Sequence, residues 1–64
     1  MKVKTLLKTF KDVEFVLQGS TGWTILSDYI GDTYCGEASF YEDWKVISIT
    51  TVVNNAVLFI KIKE

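Results

Sequence analysis

The segment 46–63 constrains the fold more than any other part of the chain. Two β-prone runs, VISITTVV (46–53) and AVLFIKIK (56–63), flank Asn54-Asn55. Asn tolerates the positive φ of a two-residue type I′ turn, so the segment is expected to form an antiparallel hairpin. The predicted cross-strand pairs on its apolar face are Val53–Ala56, Thr51–Leu58, Ile49–Ile60 and Ile47–Ile62. The other face is mixed and is expected to be half-solvated, with Val46, Ser48, Thr50 and Val52 against Lys63, Lys61, Phe59 and Val57.

Upstream of this segment, the sequence predicts a short helix and a first hairpin. VKTLLKTF (3–10) spaces its apolar residues along one face of a helix, which is too short to persist unless it packs on other elements. VEFVLQ (13–18) and WTILSDY (23–29) are β-prone, and GSTG between them is rich in turn residues. We therefore expect an N-terminal helix followed by two paired strands.

The register of this first hairpin has two solutions. A four-residue loop pairs Phe15 with Leu26. A three-residue loop with a bulge at Gly22 pairs Phe15 with Ile25 instead, and Trp23 changes face between the two.

The chain is expected to form one α+β domain over residues 1–64. A third strand is predicted around Thr33 to Gly36, and SFYEDW (39–44) is expected to be a short helical turn or an irregular crossing. The predicted architecture is a short N-terminal helix packed on an antiparallel sheet of four or five strands, ending in a β-hairpin. A length of 64 residues lies near the lower limit for a single apolar core. One Cys and no His provide no internal disulfide and no usual zinc site, so the fold needs regular packing or a partner chain.

Charge is distributed unevenly along the sequence. Between residues 12 and 44 every charged residue is acidic, whereas the lysines lie on either side of this region and Arg does not occur. Nucleic-acid binding is therefore not favoured, because affinity for phosphates depends on clustered cations. The N-terminal lysines leave weak nucleic-acid binding as a minor alternative; they are Lys2, Lys4, Lys8 and Lys11.

The residue types argue against an enzyme. Cys35 is the best candidate nucleophile, but the sequence has no His to generate its thiolate. Asp28, Asp32 and Glu37 offer the oxygen ligands that Ca²⁺ or Mg²⁺ prefers, but their spacing matches no compact calcium loop. No catalytic residue, cofactor or metal site is predicted. The single Cys and the lack of a long apolar segment lead us to expect a cytoplasmic protein without membrane contacts.

The stretch SDYIGDTYCGEASFYEDW (27–44) combines five acidic and five aromatic side chains without a cation. Tyr and Trp are enriched at interface hot spots, and surrounding carboxylates favour a partner with a basic surface. The predicted partner-binding residues are Asp28, Tyr29, Asp32, Tyr34, Glu37, Tyr41, Glu42, Asp43 and Trp44. The alternative is that the rings point inward and the acids outward. The exposure of Tyr34, Tyr41 and Trp44 distinguishes a docking face from a solvated rim.

Four segments, "MKVKTLLKTF", "VEFVL", "YEDWKVISIT" and "NNAVLFIKIK", cover most of the chain. In these segments the sequence resembles small uncharacterised proteins of phages and conjugative elements of Firmicutes. The resemblance implies an accessory gene of a mobile element, a group that includes anti-CRISPR inhibitors of host defence. Such inhibitors are often small, acidic and without enzymatic activity, and the resemblance defines no functional residues for this chain.

The leading functional hypothesis is a non-catalytic protein-binding module of a mobile genetic element. It would inhibit a host defence nuclease complex by docking through residues 27–44 onto a basic protein surface in the host cytoplasm. The first alternative is a structural or assembly protein that forms a homo-oligomer. Its contact surface would be an exposed sheet edge or the face that carries Val52, Val57 and Phe59, where apolar groups occupy positions expected to be solvated.

Overall fold

The computed structural model describes residues 1–34, 36–52 and 56–64. Their helices are α1 (Val3–Leu7) and a 3-10 helix (Gly36–Tyr41). Their strands are β1 (Val13–Gln18), β2 (Thr24–Ile30), β3 (Lys45–Val52) and β4 (Val57–Lys63). The predicted α+β class, with an N-terminal helix and four strands, is confirmed. No helix in this part of the chain is long and apolar enough to span a membrane.

The sheet has the strand order β2-β1-β4-β3 and is mixed. The pairs β1–β2 and β3–β4 are antiparallel hairpins, as predicted. The two hairpins meet through β1 and β4, which run parallel. The expectation of a wholly antiparallel sheet is therefore corrected at this central pair. Two hairpins placed side by side join in this way when the chain between them crosses from one end of the sheet to the other.

That connection, which we call the crossover segment, comprises residues 31–44. Because β2 and β3 run in the same direction at opposite edges, the segment has to cross the sheet diagonally. It includes the 3-10 helix, so the predicted strand around residues 33–36 is wrong, since Thr33 and Tyr34 are irregular and Gly36 begins this helix. Cys35 lies outside the described residues. The predicted helical turn within residues 39–44 is confirmed for residues 39–41.

The crossover segment is fixed to the N-terminus by backbone hydrogen bonds. The amide of Val3 donates to the carbonyl of Trp44 at 2.9 Å, and the amide of Lys4 donates to the carbonyl of Glu42, also at 2.9 Å. The first amides of a helix have no partner within the helix, so these two bonds satisfy donors that α1 would otherwise leave free. Helix α1 is shorter than the predicted residues 3–10, and this anchoring compensates for its low intrinsic stability.

The first hairpin has neither of the predicted registers. Phe15 lies opposite Asp28, and the pairing shifts next to Leu17, where Ile25 is the additional residue on β2. This bulge and the turn that begins at Gly19 displace β2 by two residues relative to the four-residue solution. The displacement places Ile30 opposite Val13, where Ile30 is fully buried. Burial of a large aliphatic side chain explains why this register is preferred.

The closing hairpin is confirmed at its centre, where Thr51 pairs with Leu58 and Ile49 pairs with Ile60. The predicted pairing of Ile47 with Ile62 is wrong, because a bulge places Val46 opposite Ile62 and leaves Ile47 46% exposed. Val46 consequently packs against the core rather than on the predicted half-solvated face. The predicted Val53–Ala56 pair and the Asn54-Asn55 turn depend on residues 53–55, which lie outside the described residues.

Apolar burial is confined to one face of the sheet. The buried residues of the strands, of α1 and of the 3-10 helix form one cluster there, and no polar side chain of the described residues is buried. The members of this core are Val3, Leu6, Leu7, Phe15, Leu17, Ile30, Ala38, Leu58, Ile60 and Ile62. The helix and the crossover segment therefore cover this face, and the opposite face of the sheet, which we call the open face, has neither of them on it.

Candidate protein interaction surfaces

Three of the predicted docking rings are half-buried and pack against the core: Tyr34, Tyr41 and Trp44. The rings of Tyr41 and Trp44 meet edge to face, with centroids 5.0 Å apart and planes at 77°. This geometry is favourable for aromatic pairs. The five-residue helix α1 is too small to cover the sheet alone, and these rings complete the cover as the crossover segment passes over it.

The carboxylates of the crossover segment divide into two groups. Glu42 and Asp43 make contacts within the molecule: Oε2 of Glu42 accepts a hydrogen bond of 2.9 Å from the Tyr34 hydroxyl, and Oδ1 of Asp43 lies 3.4 Å from Nζ of Lys4. Nζ of Lys2 approaches the same Asp43 oxygen at 3.8 Å. Asp32 and Glu37 are exposed, as Asp43 is, but they form no ion pair within the described residues.

The remaining predicted residues lie on β2. Asp28 is exposed, and its Oδ1 accepts a hydrogen bond of 2.8 Å from the amide of Tyr29. Tyr29 points to the open face and is 52% exposed. The nine predicted residues are therefore distributed over both faces of the sheet and do not form a single surface.

Phe40 is the most exposed large apolar side chain in the described residues, at 78%, and it is not among the nine predicted partner-binding residues. In a 3-10 helix, residues three apart share a face. Ala38 and Tyr41 occupy the packed face, whereas Glu37 and Phe40 share the exposed one. The sequence distinguishes these two faces only if the segment is already known to have the three-residue period of a 3-10 helix.

The open face consists of cross-strand rows, because directly paired residues point to the same side of a sheet. In the order β2, β1, β4, β3, the first row is Tyr29, Glu14, Val57 and Val52, and the second is Ser27, Val16, Phe59 and Thr50. The third row is Thr24, Gln18, Lys61 and Ser48, and beyond it Lys63 pairs with Lys45. The centre of the face is thus apolar, and the charged residues lie toward the two ends of the strands.

The exposure of its apolar side chains agrees with this arrangement of the open face. Val16, Val57 and Phe59 are half-buried, although they occupy the two central strands, and Val52 is 38% exposed. Three of the four predicted pairs on the mixed face of the closing hairpin are confirmed, Val52–Val57, Thr50–Phe59 and Ser48–Lys61. The predicted pair of Val46 with Lys63 is wrong, because Lys45 pairs with Lys63. The apolar side chains of the open face, Val16, Val52, Val57 and Phe59, form a contiguous patch that the described fold leaves in contact with water.

Two tyrosine hydroxyls have altered acidity. Partial desolvation, the hydrogen bond to Glu42 and the negative charges of Glu42 and Asp43 raise the pKa of Tyr34 above 10.0. Limited desolvation, together with Asp12 and Glu14, raises the pKa of Tyr29, whose hydroxyl donates a hydrogen bond of 3.3 Å to Oδ1 of Asp12. Each carboxylate disfavours a second negative charge beside it, so both phenols are held in the protonated form.

Comparison with known proteins gave no match to a protein-family model, a curated protein or a solved structure. Within residues 1–34, 36–52 and 56–64, no pocket and no group of three or more potential metal ligands was found.

Proposed function

We propose that this protein is a non-catalytic protein-binding domain whose main binding surface is the open face. The observation that supports this most strongly is the apolar patch of Val16, Val52, Val57 and Phe59 on the face opposite the core. Burial of such side chains in an interface contributes roughly 25 cal/mol per Å² of apolar area removed from water. A patch with an aromatic side chain near its centre and charges at its margins has the composition of a protein interface.

The non-catalytic part of the proposal rests on residue chemistry. The whole sequence contains no His, so the thiol of Cys35 has no imidazole to remove its proton. The carboxylates Glu42 and Asp43 are engaged with Tyr34 and with lysines, which are structural roles.

A second candidate function uses the opposite side of the molecule. Glu37 and Phe40 lie on the exposed face of the 3-10 helix, whose other face is held by the fully buried Ala38. An exposed aromatic side chain beside an exposed carboxylate suits a basic protein partner. In this form the protein would inhibit a host defence nuclease complex. The resemblance to proteins of mobile elements implies an accessory gene, and such genes include inhibitors of host defence.

One capture experiment separates the two surfaces. Phe59→Lys and Phe40→Lys make the same chemical change on opposite faces, so each is the control for the other. Tagged protein is coexpressed with untagged copies of the same chain and exposed to lysate of the producing cells, and captured proteins are identified by mass spectrometry. Thermal melts of both variants establish that they are folded.

The proposed function predicts that Phe59→Lys loses the captured protein and Phe40→Lys retains it. The reverse result would support docking through the 3-10 helix and contradict the open face as the main surface. Retention of the same proteins by both variants would contradict both proposals. For the inhibitor hypothesis, a captured nuclease complex should cleave its substrate more slowly when the wild-type protein is added, but not when Phe40→Lys is added.

A further inference from the structure

We infer that the occupant of the open face is a second copy of this chain, packed face to face with its strands reversed. The inference rests on the proposed function, because it names the partner of the same surface. The central observation is that the open face carries opposite charges at the two ends of its strands.

One end of the open face is acidic. Glu14 lies in the first row between Tyr29 and Val57, and Asp12, just before β1, accepts the hydrogen bond from the Tyr29 hydroxyl. Both carboxylates are exposed, and neither forms an ion pair within the described residues. This end of the surface therefore presents negative charge around a half-exposed phenol ring.

The other end is basic. Lys61 occupies the third row, and Lys63 pairs with Lys45 directly beyond it. Lys61 lies four residues after Val57 on β4, which corresponds to about 13 Å at about 3.3 Å per residue. No carboxylate of the described residues forms an ion pair with these three lysines.

Between the two ends lies the row that contains Val16 and Phe59. A two-fold axis in the plane of the interface, running along this row, would reverse the strands of the second copy. The acidic row of each copy would then lie over the basic row of the other, while Val16 and Phe59 would meet their own equivalents near the axis. An axis parallel to the strands would instead set Glu14 against Glu14 and Lys61 against Lys61, which is unfavourable.

The packing distance suits these side chains. Two sheets that stack face to face lie about 10 Å apart, and the space between them is filled by side chains from both inner faces. Val16, Val57 and Phe59 of both copies would supply that layer, with Glu14 and Lys61 at its margins. The described molecule measures 26 × 22 × 18 Å, so one face is small and a weak, reversible dimer is expected.

A competing mode of self-association uses the outer edge of β3. The start of this edge is covered, because Lys2 forms a bridge with Lys45 and the amide of Val46 donates to the carbonyl of Met1 at 2.8 Å. The continuation from Ser48 to Val52 has no neighbouring strand in the described residues, and unpaired edges can pair with another chain. Charge complementarity favours the open face, and the experiment distinguishes the two modes.

Sedimentation equilibrium over a range of protein and salt concentrations tests the inference. The wild type is expected to be a dimer whose dissociation constant rises with salt, because exposed charge pairs are screened. Glu14→Lys and Lys61→Glu should each weaken the dimer about tenfold, since each sets like charges against each other. The double variant Glu14→Lys/Lys61→Glu restores opposite charges and should recover most of the lost affinity.

Phe59→Lys should be monomeric, whereas Ile49→Lys near the edge of β3 should remain dimeric. Several results would overturn the inference. A wild type that is monomeric at millimolar concentration would do so, and so would a double variant as weak as the single ones. Dissociation by Ile49→Lys but not by Phe59→Lys would assign the contact to the edge of β3. The wild type could be monomeric while the capture experiment yields another protein that the wild type binds and Phe59→Lys does not. In that case the proposed function stands and only the identity of the partner is wrong.

Discussion

The hydroxyl of Tyr34 donates a hydrogen bond of 2.9 Å to Oε2 of Glu42, so the crossover segment is closed by its own side chains. The two residues lie on either side of the 3-10 helix, and the ring of Tyr34 also packs against the core. The next residue, Asp43, pairs with Lys2 and Lys4 of the N-terminal segment. The most acidic and aromatic stretch of the sequence therefore has a structural role in covering the sheet.

Replacement Tyr34→Phe should lower the free energy of unfolding by about 0.5–1.5 kcal/mol, the usual contribution of one hydrogen bond. The ring and its packing remain, and only the donor to Glu42 is lost. The measurement is urea denaturation followed by fluorescence of the tryptophans. Tyr29→Phe is the matched control, because it removes an exposed hydroxyl with a longer, 3.3 Å bond to Asp12. A larger loss for Tyr29→Phe than for Tyr34→Phe would contradict the structural role of the Tyr34–Glu42 bond.

The Tyr34 hydrogen bond also predicts a pH dependence. The pKa of Tyr34 in the folded protein is raised above 10.0, so the folded state keeps the phenol proton longer than the unfolded state does. The resulting stabilisation is fully present below pH 10.0 and decreases as the pH rises through the folded-state pKa. The difference in unfolding free energy between the wild type and Tyr34→Phe should therefore be larger at about pH 8 than at about pH 11. A difference that grows toward alkaline pH would have the wrong sign for this assignment.

The buried face of the 3-10 helix can be tested by enlarging a side chain. Ala38 is fully buried in the core, so Ala38→Leu should destabilise the fold by about 1–3 kcal/mol through overpacking. Glu37→Leu introduces the same side chain one residue earlier on the exposed face and should change stability much less. Thermal denaturation of both variants measures the difference. Equal melting temperatures would show that the helix does not pack on the core as described.

The ion pairs of Asp43 should contribute little to stability. Its contacts with Lys4 and Lys2, at 3.4 and 3.8 Å, are largely exposed. Asp43→Asn is expected to cost about 0.5 kcal/mol or less, and high salt should remove the difference from the wild type. The backbone bonds of Val3 and Lys4 to the crossover segment remain in this variant. A loss well above 1 kcal/mol that persists in high salt would show that Asp43 has a role beyond these exposed pairs.

Much of the fold follows from local pattern. The β-prone residues of the run 13–18 predicted β1, and the pairing of Ile49 with Ile60 in the closing hairpin was predicted from the β-prone runs and the turn chemistry. These features depend on residues close together in the sequence. The two bulges, at Ile25 and Ile47, were not predicted, because they arise when distant apolar residues such as Ile30 and Val46 reach the core.

The local sequence pattern also did not predict the parallel pairing of β1 with β4 or the path of the crossover segment. Both depend on how the two hairpins join, which no local signal encodes. For the candidate site, the sequence identified the apolar residues Val52, Val57 and Phe59 on a face expected to be solvated. It did not add Val16 or the charge of Glu14, because these two residues of β1 share the face only through the β1–β4 pairing.

The most direct test of the account is to record methyl NMR spectra of the wild type over increasing protein concentration. If the open face binds a second copy, the methyl resonances of Val16 and Val57 should shift with concentration. Those of Leu58 and Ile60, which lie on the packed face, should stay constant. Spectra that do not change up to millimolar concentration, or shifts confined to Ile47 and Ile49 near the edge of β3, would contradict the central claim.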